Sequence, residues 1–205
     1  MRLAAAILAS LLVQSAVFGS PTEQHNVAPP SGTAPPETDR RGNIVLGAVL
    51  AGGAAVDHGG VGHRQFATLG GHVGRIVAEP RGRFPFRGDF EIAVEVLPVF
   101  LVFQETTTYS FASTLLFRHY FSPDKRMRPF LSFGGGALFS TDPVPPQGTS
   151  FNFTPQAGLG VAWFREPGLA YLFEYRYVHI SNGGLSLPNP GVNSTGVFLG
   201  MSVFR

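Results

Sequence analysis

Leu169-Ala170-Tyr171-Leu172-Phe173-Glu174-Tyr175-Arg176-Tyr177-Val178-His179-Ile180-Ser181 is the stretch on which the fold turns. Successive side chains of a strand leave opposite faces. Tyr171, Phe173, Tyr175 and Tyr177 therefore form an aromatic stripe on one face, while Glu174 and Arg176 point the other way. A soluble sheet turns its charges to water and its large apolar residues inward. Here the charges are too few for that, since Asp, Glu, Lys and Arg make up 14% of 205 residues. The inverse arrangement fits: an aromatic face toward lipid and a charged face into a packed polar interior, as in a small transmembrane barrel.

The same pattern extends outward from this strand. Eight segments read as strands, namely 43–50, 66–77, 90–103, 109–121, 129–139, 151–164, 169–181 and 194–204. Most reach or exceed the about 9–11 residues that a tilted strand needs to cross a bilayer. Gly, Pro, Asp and Asn separate them, with tight turns expected at Ser122-Pro123-Asp124-Lys125 and Arg165-Glu166-Pro167-Gly168. In the third segment Phe90, Ile92, Val94, Val96 and Phe100 oppose Glu91 and Glu95. In the fourth, Tyr109, Phe111, Leu115, Phe117 and Phe121 oppose Ser110, Ala112, Thr114 and Arg118. In the sixth, Phe151, Phe153, Leu159, Val161 and Trp163 oppose Asn152, Thr154, Gln156, Gly158 and Gly160. The expected fold is all-β, an eight-stranded antiparallel up-and-down transmembrane β-barrel. The competing reading is a soluble lipocalin-like barrel or sandwich with the apolar face inward, which needs more outward charge than the chain carries. Gly134-Gly135-Gly136 reads as a site of tight backbone curvature, because no helix or lysine follows to make it a phosphate loop.

The rest of the chain sets the setting. Arg2 followed by the apolar run from Leu3 to Phe18 reads as a signal peptide over 1–19, so the protein is expected to be exported. The absence of cysteine rules out lipoprotein processing, disulfides and thiolate metal sites. Residues 20–41, rich in Pro, Thr, Ser and Glu, read as a flexible linker, and 42–205 as the barrel. The arginines are scattered and the net charge is +2, which argues against nucleic acid as a partner. With an even number of strands and both ends in the periplasm, the turns at 78–89, 122–128 and 165–168 are periplasmic. The loops at 51–65, 104–108, 140–150 and 182–193 are then external, and the seventh strand ends at the outer leaflet.

At that end stand His179 and Ser181, two residues apart and on the lipid-facing side. A serine hydroxyl is a weak nucleophile until an imidazole takes its proton, and a third group must orient the imidazole. Glu174 lies on the opposite face. Asn193 shares the outward face of the last strand with Thr195, Val197, Leu199, Met201 and Val203, so it is the residue expected beside His179 across the hairpin. Asn182, the backbone of Gly183-Gly184 and the Asn189 amide are the donors on hand for an oxyanion. A nucleophile and base at a membrane surface are what hydrolysis of a lipid ester requires.

His179-Ile180-Ser181-Asn182-Gly183-Gly184-Leu185 followed by Pro188-Asn189-Pro190-Gly191-Val192-Asn193 resembles the terminal motif of the PagL-type outer-membrane lipid A 3-O-deacylases. The resemblance implies an eight-stranded barrel in the outer membrane with its active site on the lipid-facing wall. It implies hydrolysis of the 3-O-linked acyl ester of lipid A, the lipid anchor of lipopolysaccharide, without metal or organic cofactor, and it allows a homodimer. By the motif, His179 corresponds to the base and Ser181 to the nucleophile. Asn182 corresponds to an asparagine needed for activity, and Gly184 and Asn189 fall where oxyanion stabilisers are placed. The chain departs from the family at Asn193, where a triad glutamate is expected, and at Arg205, which follows the terminal aromatic Phe204. The alternative is therefore a non-catalytic structural or adhesion barrel that has lost the triad acid. Of the other histidines, His58 and His63 lie in the first outer loop with Arg64 and are placed to meet lipid A phosphates. His72 reads as a lumen residue and His119 as part of the interfacial band.

Overall fold

The computed structural model describes residues 43–56, 64–81 and 87–205. The expected signal peptide and linker, and His58 and His63, lie outside the described residues. Nine strands follow one another: β1 (Ile44–Ala55), β2 (Gln65–Arg81), β3 (Gly88–Phe103), β4 (Thr107–Phe121), β5 (Met127–Val144), β6 (Thr149–Phe153), β7 (Gln156–Glu166), β8 (Leu169–Ile180) and β9 (Val192–Phe204). All pairings are antiparallel, β6 and β7 both pair with β5, every other strand pairs with the one before and after it, and β9 closes on β1. The result is a closed β-barrel, which leaves no free sheet edge.

Nine strands make eight staves. β6 pairs with β5 through Ala137↔Phe153 and β7 through Gly134↔Gln156, a single unbroken register. The segment expected as one strand over 151–164 is thus one stave, interrupted at Thr154-Pro155. Proline has no N–H to give the ladder, and so breaks the strand without shifting it. The chain on either side still bonds normally: Thr154 N–H donates to Gly136 O (2.9 Å) and His179 N–H to Pro155 O (3.0 Å). An even number of staves brings the two ends of the barrel together, where Ile44 N–H donates to Arg205 O and Arg205 N–H donates to Ile44 O. The loop that carries Ser181 to Gly191 lies at the other end.

The alternation of the sequence appears as an inside and an outside. Outward and exposed stand Ile92, Val94, Leu115, Phe133, Leu159, Phe173, Tyr175, Tyr177, Leu199 and their neighbours. Aromatic contacts mark both rims, with Trp163 against Tyr171 near one and Phe139, Phe151 and Phe153 in succession near the other. Phe100 is the correction: it is buried inside, not on the lipid face. A register shift between Leu97 and Phe100 adds one residue to the β3 side of the β3–β4 ladder and reverses the parity beyond it.

The inside is filled in layers. Along β8 the inward residues run Ala170, Leu172, Glu174, Arg176, Val178, Ile180: apolar, charged, apolar. The charged layer is a connected network. Arg176 meets Glu95 at 2.7 Å and Glu174 at 2.8 Å, donates to Gln156 Oε1 at 2.9 Å, and stacks over Phe198. Arg118 faces Glu91 and Glu95, Tyr120 O–H donates to Glu91 (2.7 Å), and Ser132 bonds Glu174. Gly74 and Gly158 point inward where any side chain would collide with Glu91 and Glu174. His72 is buried in the lumen beside Ser202. His119 sits near the end of β4 with its ring edge-on to Phe121.

Candidate active site

Strand pairing builds the site in rows. Asn193 lies directly opposite His179 on β9 and β8. Continuing the same row around the wall, Pro155 accepts from His179 N–H, and Gly135 of β5 pairs with Leu115 of β4. All of these face outward. Ser181 lies just beyond β8, held by two bonds to Phe153: Phe153 N–H donates to Ser181 O (2.7 Å) and Ser181 N–H to Phe153 O (3.1 Å).

The side chains converge. His179 Nε2 lies 2.9 Å from Ser181 Oγ, and His179 Nδ1 lies 2.7 Å from Asn193 Oδ1. These two contacts are the serine–imidazole–orienter chain that nucleophilic activation needs. When the imidazole carries its proton on Nδ1 and donates it to Asn193, Nε2 is left to accept from the serine hydroxyl. Gly191 makes room for the ring. Its φ is +60°, a backbone state that favours glycine, and a Cβ there would stand 3.1 Å from His179 Cε1.

Asn182, Gly184 and Asn189 are also brought together, but chiefly to one another. Asn182 is buried. Its N–H donates to Asn189 Oδ1 (3.1 Å), its Nδ2 to Ser186 O (2.9 Å), and its Oδ1 accepts from Gly184 N–H (2.9 Å). These bonds fix the shape of the loop next to Ser181. With Asn189 Oδ1 so engaged, its Nδ2 is the end turned away from Asn182 and able to donate elsewhere. Arg64, expected near lipid phosphates, is buried, and its carbonyl accepts from Ala55 N–H. Among the described residues no group of three or more His, Asp or Glu side chains is placed to hold a metal ion.

Nothing in the order of residues singles out the surface beside His179. A groove of about 500 Å³ opens there on the outer wall, lined among others by Leu115, Phe117, Phe133, Gly135, Pro155 and Tyr177. It exists because the small residues Gly135, Pro155 and Ala157 fall in adjacent rows between larger apolar ones. Its lining suits a hydrocarbon chain, and His179 stands at its margin.

The closed barrel with an apolar outer wall, rimmed by aromatic residues and holding a buried charged network inside, defines an outer-membrane β-barrel protein. The family profile for lipid A 3-O-deacylase (PagL) matches residues 61–202, and the chain belongs to that family. Among solved structures it is similar to the crystal structure of the outer membrane enzyme PagL, at 19% identity and TM-score 0.54, over 75% of this chain and 97% of that one. It is as similar to Neisserial surface protein A, at 15% identity and TM-score 0.55, over 78% and 96%. The outer membrane protein OprG from Pseudomonas aeruginosa follows at 12% and 0.54, over 82% and 98%. These structural likenesses establish the fold. A comparison with curated protein sequences gives no match.

Proposed function

We propose that the protein is an outer-membrane carboxylic-ester hydrolase that removes the 3-O-linked acyl chain from lipid A. Ser181 is the nucleophile, His179 the general base, and Asn193 the residue that orients the imidazole. The observation that carries this reading is the unbroken contact from Ser181 Oγ through His179 to Asn193 Oδ1, on the outward wall beside an apolar groove. Family membership supports lipid A as the substrate class.

The chemistry is acyl transfer in two stages. Ser181 Oγ attacks the ester carbonyl as its proton passes to His179 Nε2, and the protonated imidazole then gives that proton to the leaving sugar oxygen. Water, deprotonated by His179, releases the fatty acid from Ser181. Asn189 Nδ2 is the side-chain donor assigned to the oxyanion, with Asn182 and Gly184 holding the loop that presents it. The test is mass spectrometry of lipid A incubated with the refolded barrel in detergent. Loss of one 3-hydroxyacyl group, with the other acyl chains retained, is the expected result. An unchanged lipid A spectrum from a folded barrel overturns the reading.

Asn193 favours a second reading, a barrel retained as a scaffold after losing its acid. An amide carbonyl accepts the imidazole N–H but offers no charge to offset the imidazolium that forms during attack. Asn193→Glu is therefore expected to raise kcat by about tenfold or more, since the reverse change in a serine-protease triad lowers turnover by about 10⁴. Initial rates of fatty-acid release measure this. Absence of activity in both the native chain and the glutamate variant moves the weight to the scaffold.

A further inference from the structure

Tyr177 brings a further polar group to the site. Its hydroxyl donates to Asn193 Oδ1, the same oxygen that faces His179 Nδ1. Tyr177 precedes His179 by two residues on β8 and so shares its outward face. The register sets Asn193 opposite His179 and Thr195 opposite Tyr177, so the phenol reaches the asparagine along the diagonal of the hairpin.

An amide, unlike a carboxylate, has a wrong end. With Oδ1 toward the ring, the imidazole keeps its proton on Nδ1, and Nε2 can accept from Ser181. With the amide turned over, Nδ2 donates to Nδ1, the ring proton moves to Nε2, and the base is lost. The Tyr177 hydroxyl makes the second state costly. It can accept from Nδ2 after such a turn, but its own hydrogen then loses its acceptor on a wall that faces lipid. In the arrangement present, two donors converge on Oδ1 and occupy both of its lone pairs.

We propose that Tyr177 is a positioning residue that holds the Asn193 amide with its oxygen toward His179, and thereby selects the imidazole tautomer able to take the serine proton. The proposal rests on the hydrolase reading above, but the tautomer is measurable without turnover.

Tyr177→Phe removes the hydroxyl and keeps the ring that lines the groove. Histidine ¹⁵N spectra of the full barrel in micelles, with the His179 signals assigned by their loss in His179→Gln, report the tautomer directly. The native chain is expected to hold the Nδ1–H form, and the ratio of Nδ1–H to Nε2–H to fall about fivefold or more in Tyr177→Phe. An unchanged ratio overturns the proposal. In turnover, Tyr177→Phe is expected to lower kcat about tenfold with KM nearly constant. The same change made in an Asn193→Glu background has almost no effect, because a carboxylate needs no orienting. Equal losses in the two backgrounds overturn the proposal, since they mark a role in shape alone. A native chain that turns over no lipid A sinks the hydrolase reading, and the tautomer ratio still decides the role of Tyr177.

Discussion

Ser181→Ala is expected to reduce ester hydrolysis by about 10³-fold or more while the barrel stays folded. The hydroxyl touches only His179 among its described partners, and the main-chain bonds that hold Ser181 to Phe153 survive the change. Stability should therefore move by no more than about 0.5 kcal/mol, as for a surface substitution. His179→Ala is expected to lose a comparable amount. The double variant should be no worse than either single one, because a nucleophile and its base act as a unit and their effects do not add. Fatty-acid release measures activity, and the faster gel migration of an unheated folded barrel confirms folding. More than a tenth of native activity in folded Ser181→Ala dismisses this serine as the nucleophile.

The second large effect is on the fold. Arg176→Met keeps a side chain of similar length over Phe198 but removes the charge between Glu95 and Glu174, both of which are buried. Breaking a buried ion pair by deleting one partner costs about 3–5 kcal/mol, because the remaining charge has no water to turn to. Urea unfolding from lipid vesicles should show a loss of that size. Adding Glu95→Gln and Glu174→Gln to the same chain should recover much of it, since neutral amides remove the uncompensated charge. A loss below about 1 kcal/mol in Arg176→Met would mean that Arg118 alone balances the carboxylates.

What was legible in the sequence divides by range. The hairpin of β8 and β9 is local, so parity alone placed Asn193 on the face of His179, and the register bears out that placement. The inward set Glu91, Glu95, Arg118, Glu174 and Arg176 followed from alternation in the same way. Phe100 did not, because a bulge near Pro98 reverses parity and carries no signal that a count by twos can detect. The groove was also hidden, since Gly135 and Pro155 meet only through the register of β5 with its neighbours. By alternation Tyr177 is one more aromatic residue of the lipid-facing stripe. The available hint was its hydroxyl, at a place two residues before the histidine where phenylalanine would have served lipid contact equally well.

The filled interior has a consequence for how any reactant arrives. With Arg118, Arg176 and their carboxylates packed between two apolar layers, the lumen is filled by side chains of the described residues, and His179 and Ser181 open sideways from the outer wall. A reactant must come by lateral diffusion within the leaflet. Encounter is then a two-dimensional search, governed by the mole fraction of substrate among neighbouring lipids rather than by its concentration in bulk water. Diluting the membrane with inert lipid slows such a protein, and diluting the suspension does not.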